Sequence, residues 1–188
     1  MSDFNAVLAG TGGQGILLAS KIMVQAALRQ GLPVLGAETH GMAQRGGSVV
    51  AHVRIGECLS PMVLPRSAHL LMALERLEGL RNLAFLRPGA LIIANSPDRS
   101  FITAEVGDYL ERQQAEVVTL DATALAVAGG SIRNVNLVLL GGCAAHRSTP
   151  FELDQLRAAV EATVRPKFVA PCSAALEQGH AAAAVSRR

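Results

Sequence analysis

The first forty residues read as strand, glycine turn, helix and strand, and few folds accommodate that order in so short a stretch. Residues 4–9 form a short apolar run that stops at Gly10. G-T-G-G-Q-G follows at positions 10–15, and then an apolar-periodic helix over 16–29. Ile16, Ala19, Met23, Ala26 and Ala27 share one stripe of that helix, with the small Ser20 beside them. Gly31 ends it, and residues 32–37 are the second strand. This is the opening of a doubly wound α/β domain.

The remaining pattern agrees. Apolar runs at 68–73, 90–95 and 116–120 are short enough for buried parallel strands, and 49–55 alternates with period two. Residues 59–63 read as a returning strand. Helices are expected over 75–83, near 102–113, over 122–128 behind an Asp121 N-cap, over the all-apolar 134–146, and up to Val164. That last helix starts with Pro150 at its first position, and Pro166 stops it. An alanine-rich helix follows from Ser173. The expectation is a Rossmann-like, mostly parallel sheet with helices on both faces, one domain over 1–188, with about 180–188 a frayed tail.

Composition narrows the function. Half of the 188 residues are hydrophobic but only 3% are aromatic, which leaves few stacking platforms. The net charge of +2, from 17 basic and 15 acidic residues, is too balanced for a nucleic-acid binder. Cys58, Cys143 and Cys172 are widely separated and form no C-x-x-C pair, so no self-contained iron–sulfur or zinc site of ordinary spacing is expected. Their odd number fits a reducing compartment. The N-terminus lacks a basic segment, and no apolar run reaches the ~18 residues of a membrane span. A cytoplasmic protein without a membrane partner is the expectation.

Two stretches carry chemistry. The glycine turn satisfies G-x-G-x-x-G at Gly10, Gly12 and Gly15, with Gly13 and Gln14 between. It has three readings. It is a dinucleotide site with Glu38 on the ribose, since a carboxylate is expected about 20 residues on. It accepts a phosphate of another ligand such as coenzyme A, on the amides of a helix N-terminus. Or it only packs the helix closely on the sheet, in a homodimer whose glycine loop is empty.

The second stretch, E-T-H-G-M-A-Q-R-G-G-S-V-V-A-H-V-R-I-G at 38–56, opens as a glycine-rich polar loop and becomes a strand. It reads either as a hairpin turn or as a recognition loop made to touch a partner. His52, His69 and His146 read as structural, and Cys143 as a small buried hydrophobe. No catalytic centre assembles from these residues.

Together G-x-G-G-Q-G-I-L-L-A-S-K at 10–21, the 38–56 stretch and S-P-M-V at 60–63 resemble the gamma component of 2-oxoacid:ferredoxin oxidoreductases. H-G-M-A-Q-R-G-G-S-V is most similar to the small subunit of indolepyruvate ferredoxin oxidoreductase. The likeness continues through A-L-E-R-L-E-G-L-R, L-R-P-G-A-L-I-I-A-N and N-V-N-L-V-L-L-G to about Gly179. The 38–56 stretch is its specific part. Such proteins usually have an acid where Ser67-Ala68-His69 stands, and the segment with Cys172 matches less tightly.

The resemblance implies oxidative decarboxylation of a 2-oxoacid to an acyl-coenzyme A and carbon dioxide, with electrons passed to ferredoxin. Thiamine diphosphate and iron–sulfur clusters are then expected in partner subunits. The turn at Gly10, Gly12, Gly13, Gln14 and Gly15 would shape a phosphate site, with the Gln14 side chain as a donor. His40, Gly41, Met42, Gln44, Arg45, Gly46 and Gly47 would face the thiamine-bearing partner.

Overall fold

A computed structural model of the chain describes residues 3–41 and 46–185. β1 (Phe4–Thr11) lies inside the sheet, and seven of its eight residues are buried. Ala6 and Leu8 face one side while Val7 and Ala9 face the other, and both sides are covered. That is why the run reads as continuously apolar rather than alternating. α1 (Ile16–Arg29) spans the expected residues and buries the expected stripe, with Ile22 added.

β2 (Val34–His40), β3 (Ser48–Ile55), β4 (Ala68–Ala73), β5 (Leu86–Asn95) and β6 (Glu116–Leu120) complete a sheet of order β2-β3-β1-β4-β5-β6. β1, β4, β5 and β6 pair in parallel. β3 is antiparallel to both of its neighbours, so β2 points the same way as β1. Five of the six strands therefore share a direction, as a mostly parallel sheet requires. The second strand does not lie beside the first, however. β2 and β3 form a hairpin, and β3 takes the place next to β1.

One face of the sheet is covered by α1, α5 (Val135–Ala144), α6 (Leu153–Thr163) and α7 (Pro166–Val185). Leu110 of α3 (Ala104–Arg112) packs on the other face with Val63 and Leu86. α2 (Arg76–Arg81) and α4 (Ala122–Ala128) follow β4 and β6, and α4 is capped as expected by Asp121, which accepts the Ala124 N–H at 2.9 Å. α5 is buried on every side from Val135 to Cys143. It crosses α7 backbone to backbone: a Cβ at Gly141 would stand 2.0 Å from Leu176 O, and one at Gly179 would stand 1.8 Å from Val138 O.

Four sequence expectations change. Glu38, Thr39 and His40 belong to β2 rather than to a loop, because the hairpin extends to Gly41, whose N–H donates to Ser48 O at 2.9 Å. Residues 59–63 form no strand: Val63 N–H is instead taken by His52 Nδ1 at 3.3 Å, and Arg54 holds Ser60 O at 2.9 Å. α6 begins at Leu153 behind a Glu152–Gln155 capping box, so Pro150 lies outside the helix. Pro166 does not only end α6; it opens α7, where the missing N–H is not needed. α7 also contains Pro171, whose carbonyl accepts the Asn134 side-chain amide.

Candidate functional site

β1 delivers the chain to the glycine turn at the carboxyl ends of the parallel strands, beside β4, where the chain order of the sheet reverses. Gly15, in the left-handed region at φ 78°, redirects the chain into α1. A Cβ there would stand 2.6 Å from Asn136 Nδ2, the same atom that donates to Gly15 O at 2.9 Å. Gln14 closes the turn by accepting the Thr11 N–H on Oε1 at 2.8 Å.

The hairpin supplies the facing wall. Gly12 N–H donates to Gly47 O at 2.9 Å, so this amide is spent on holding the β2–β3 tip. The N–H groups of Gly13, Gly15, Ile16 and Leu17 have no partner among the described residues. They are the orphan donors of a helix start that no side chain caps and no first-turn acid neutralises. They border an open cavity of about 590 Å³ between the turn, His40, Gly41 and Val49. Its chemistry is that of an anion receptor: neutral donors, the positive end of α1, and an imidazole opposite.

A second and a third cavity lie on the other side of the turn, about 270 and 350 Å³, where Gln14 meets Asn95 and Thr123. Asn95 and Thr123 bond to each other, Thr123 N–H donating to Asn95 Oδ1 at 3.1 Å. Gln14 lines these cavities and not the large one, and its Nε2 has no partner among the described residues.

The sequence-derived residues thus divide. Gly12, Gly13, Gly15, His40 and Gly41 line the large cavity, with Gly46 and Gly47 bonded to Gly12. Gly10 is a packing position, where a Cβ would meet Gln14 Oε1 at 2.5 Å. Glu38 is not brought to the turn. With β3 between β2 and β1, its carboxylate accepts the Ser20 hydroxyl at 3.2 Å and lines a separate groove on α1. Met42, Gln44 and Arg45 lie outside the described residues.

Two residues that the sequence reading passed over support the site. Glu78 is 2% exposed; its carboxylate accepts the Ser48 hydroxyl at 2.6 Å and pairs with Arg81. In A-L-E-R-L-E-G-L-R it looks like any solvent-facing acid, so no signal marked it. Asn136 is 1% exposed, and a lone amide in an all-apolar helix was a usable signal, because a buried polar group needs a partner.

His52, His69 and His146 hold structure rather than line the large cavity. Burial holds His52 below its ordinary pKa, and its ring meets Phe85 edge-on at 5.3 Å. Burial, then Arg87, lowers His69 against an opposing pull from Asp3. His69 Nδ1 accepts the Asn5 N–H at the end of the sheet away from the glycine turn. His146 donates to Glu116 and accepts from Ser148 N–H. Burial pushes the Cys143 thiol far up, so it stays protonated. Among the described residues no group of His, Cys, Asp and Glu side chains is placed to hold a metal ion, and no helix is long and apolar enough to cross a membrane.

Fold and site define a doubly wound α/β domain with an uncapped helix start at the reversal of its sheet. A family model described as pyruvate ferredoxin/flavodoxin oxidoreductase matches residues 5–182, and the chain belongs to this family, whose members here are subunits of 2-oxoacid oxidoreductases. It is 37% identical to the indolepyruvate oxidoreductase subunit IorB of Archaeoglobus fulgidus over 94% of this chain and 93% of that one. With the IorB subunit of Thermococcus kodakarensis it shares 33% identity over 97% of each.

Two solved structures share the fold. A gamma subunit of a keto/oxoacid ferredoxin oxidoreductase from Geobacter sulfurreducens matches with a TM-score of 0.76 at 22% identity, over 97% of this chain and 99% of that one. The 2-oxoglutarate:ferredoxin oxidoreductase of Magnetococcus marinus matches with a TM-score of 0.80 at 19% identity. There the match covers 98% of this chain but 32% of the larger one. The stand-alone NAD or FAD module finds no support among these relatives, and the position of Glu38 removes its ribose partner.

Proposed function

We propose that the chain, as one domain over 1–188, is the small subunit of an arylpyruvate-type 2-oxoacid:ferredoxin oxidoreductase, and that the large cavity receives a phosphate of coenzyme A. The reaction converts a 2-oxoacid, with indolepyruvate the model substrate, to its acyl-coenzyme A and carbon dioxide. Thiamine diphosphate and iron–sulfur clusters, held by partner subunits, supply the carbanion stabilisation and the electron path to ferredoxin.

The carrying observation is the row of unpartnered amides at Gly13, Gly15, Ile16 and Leu17 beside the cavity. A phosphate there gains several N–H donors and the positive end of α1 without displacing any internal bond. Asn136 fixes Gly15, and the Gly12–Gly47 bond fixes the wall that carries His40. The contact to the thiamine-bearing subunit is made by the segment that contains His40, Gly41, Met42, Gln44, Arg45, Gly46 and Gly47, and a cytoplasmic setting suits the three free thiols.

Leu17→Asp tests this in the assembled enzyme. Leu17 is 37% exposed in the first turn of α1, where a carboxylate stabilises the helix but repels a phosphate. The expected result is a KM for coenzyme A raised about tenfold or more, with the KM for the 2-oxoacid and the thermal midpoint unchanged. An unaltered KM for coenzyme A would refute the site.

A further inference from the structure

β2 is the outer strand of the sheet, and its hydrogen-bonding pattern can be read from both ends. Gly56 N–H donates to Pro33 O, and Gly41 N–H donates to Ser48 O, each at 2.9 Å. In an unbroken antiparallel register, the bonds to β3 therefore fall on Leu35, Ala37 and Thr39. The N–H and C=O groups of Val34, Gly36, Glu38 and His40 point outward, and no backbone partner for those N–H groups exists among the described residues. Leu35, Gly36, Glu38, Thr39 and His40 are exposed, so neither face of the strand shields the edge. Edge strands are ordinarily blunted by bulges, prolines or a cover; this one has only Pro33 before its start.

We propose that a second copy of this chain adds its own β2 antiparallel to this edge, with the two-fold axis at Ala37, joining the two sheets into one. In that register Val34 pairs with His40 and Gly36 with Glu38 of the second copy. The outward groups then form four bonded pairs of two N–H···O bonds each. Leu35 stands opposite Thr39, and Ala37 opposite its own symmetry mate. A slide that sets Glu38 opposite Glu38 brings like charges together, which disfavours it.

The side chains supply the reason for the occupant being a second copy. Gly36 and Glu38 share the α1 face: Glu38 bonds Ser20, and a Gly36 Cβ would lie 3.4 Å from Val24. An open groove of about 470 Å³ lies there, lined among others by Lys21, Gln25 and Gly36. Gly36 puts no side chain of its own into the groove, so Glu38 of the second copy enters it beside Val24 and meets Lys21. Lys21 has no acidic partner among the described residues. The two-fold axis makes this contact twice. The inference is independent of the coenzyme A reading, since the edge strand and the large cavity share no residue but His40.

Sedimentation of the full chain across a concentration series tests it, with K21E, E38K and G36P variants. The expected result is a wild-type dimer, and single charge reversals that each weaken it at least about tenfold. An equimolar mixture of K21E and E38K should recover dimerisation, because each reversed charge then faces its opposite. G36P, which removes an outward N–H but no β2–β3 bond, should be a folded monomer by thermal melting. A wild-type chain that stays monomeric, singles that dimerise like the wild type, or a mixture that stays apart would each overturn the proposal.

Discussion

The Ser48 hydroxyl donates to the buried carboxylate of Glu78 at 2.6 Å, which ties the first residue of β3 to α2 across the end of the sheet. Ser48 follows directly on Gly46 and Gly47, which bond the glycine turn, so this contact anchors the hairpin at its turn end. Ser48→Ala leaves a buried carboxylate oxygen without its donor. The expected cost is about 1.5–3 kcal/mol of unfolding free energy, measured by denaturant titration. A change below about 0.5 kcal/mol would show that the bond carries little.

Gly141 and Gly179 allow α5 and α7 to touch through their backbones. Gly179→Ala forces a methyl group onto Val138 O, which cannot move without shifting the buried helix α5. A loss of about 3 kcal/mol or more is expected, since the obstruction is backbone rather than a flexible side chain. Gly107→Ala is the control, because a Cβ there only reaches Ile102 at 4.0 Å. Equal midpoints for the two variants would contradict this account of the helix crossing.

Asn136→Ala removes one of three donors to Gly15 O, which keeps the Leu18 and Ala19 N–H groups but loses its tie to α5. A loss of about 0.5–1.5 kcal/mol is expected, with amide exchange at the start of α1 speeded more than elsewhere. Uniform exchange across α1 would show that the side chain does not hold the turn.

Stability should fall in mild acid. Burial lowers the pKa of His52 and His69 in the folded chain, so between the lowered value and the ordinary ~6.5 the unfolded chain binds more protons. Their contribution is complete above about pH 6.5 and is lost as pH falls through that window. His52 must stay neutral to accept the Val63 N–H, and His69 to accept that of Asn5. Denaturant midpoints across this range should decline, and His52→Gln should shallow the decline; an unchanged slope would assign the loss to other groups.

Local order was legible in the sequence. The 3.6-residue stripe of α1, the Asp121 cap and the apolar run of β4 fixed their elements because the signals are local: side-chain period, capping chemistry and burial on both faces. The resemblance in 10–63 reached the family for the same reason, being a pattern of adjacent residues.

What only the tertiary structure decided is which strands are neighbours. Local pattern placed Glu38 at the end of a second strand, but the insertion of β3 beside β1 moved it away from the glycine turn and brought His40 and Gly41 there instead. The buried pairing of Glu78 with Ser48 likewise joins residues 30 apart. Sequence period reports which face of an element is apolar. The partner of that face depends on contacts between distant segments, whose energies no single stretch contains.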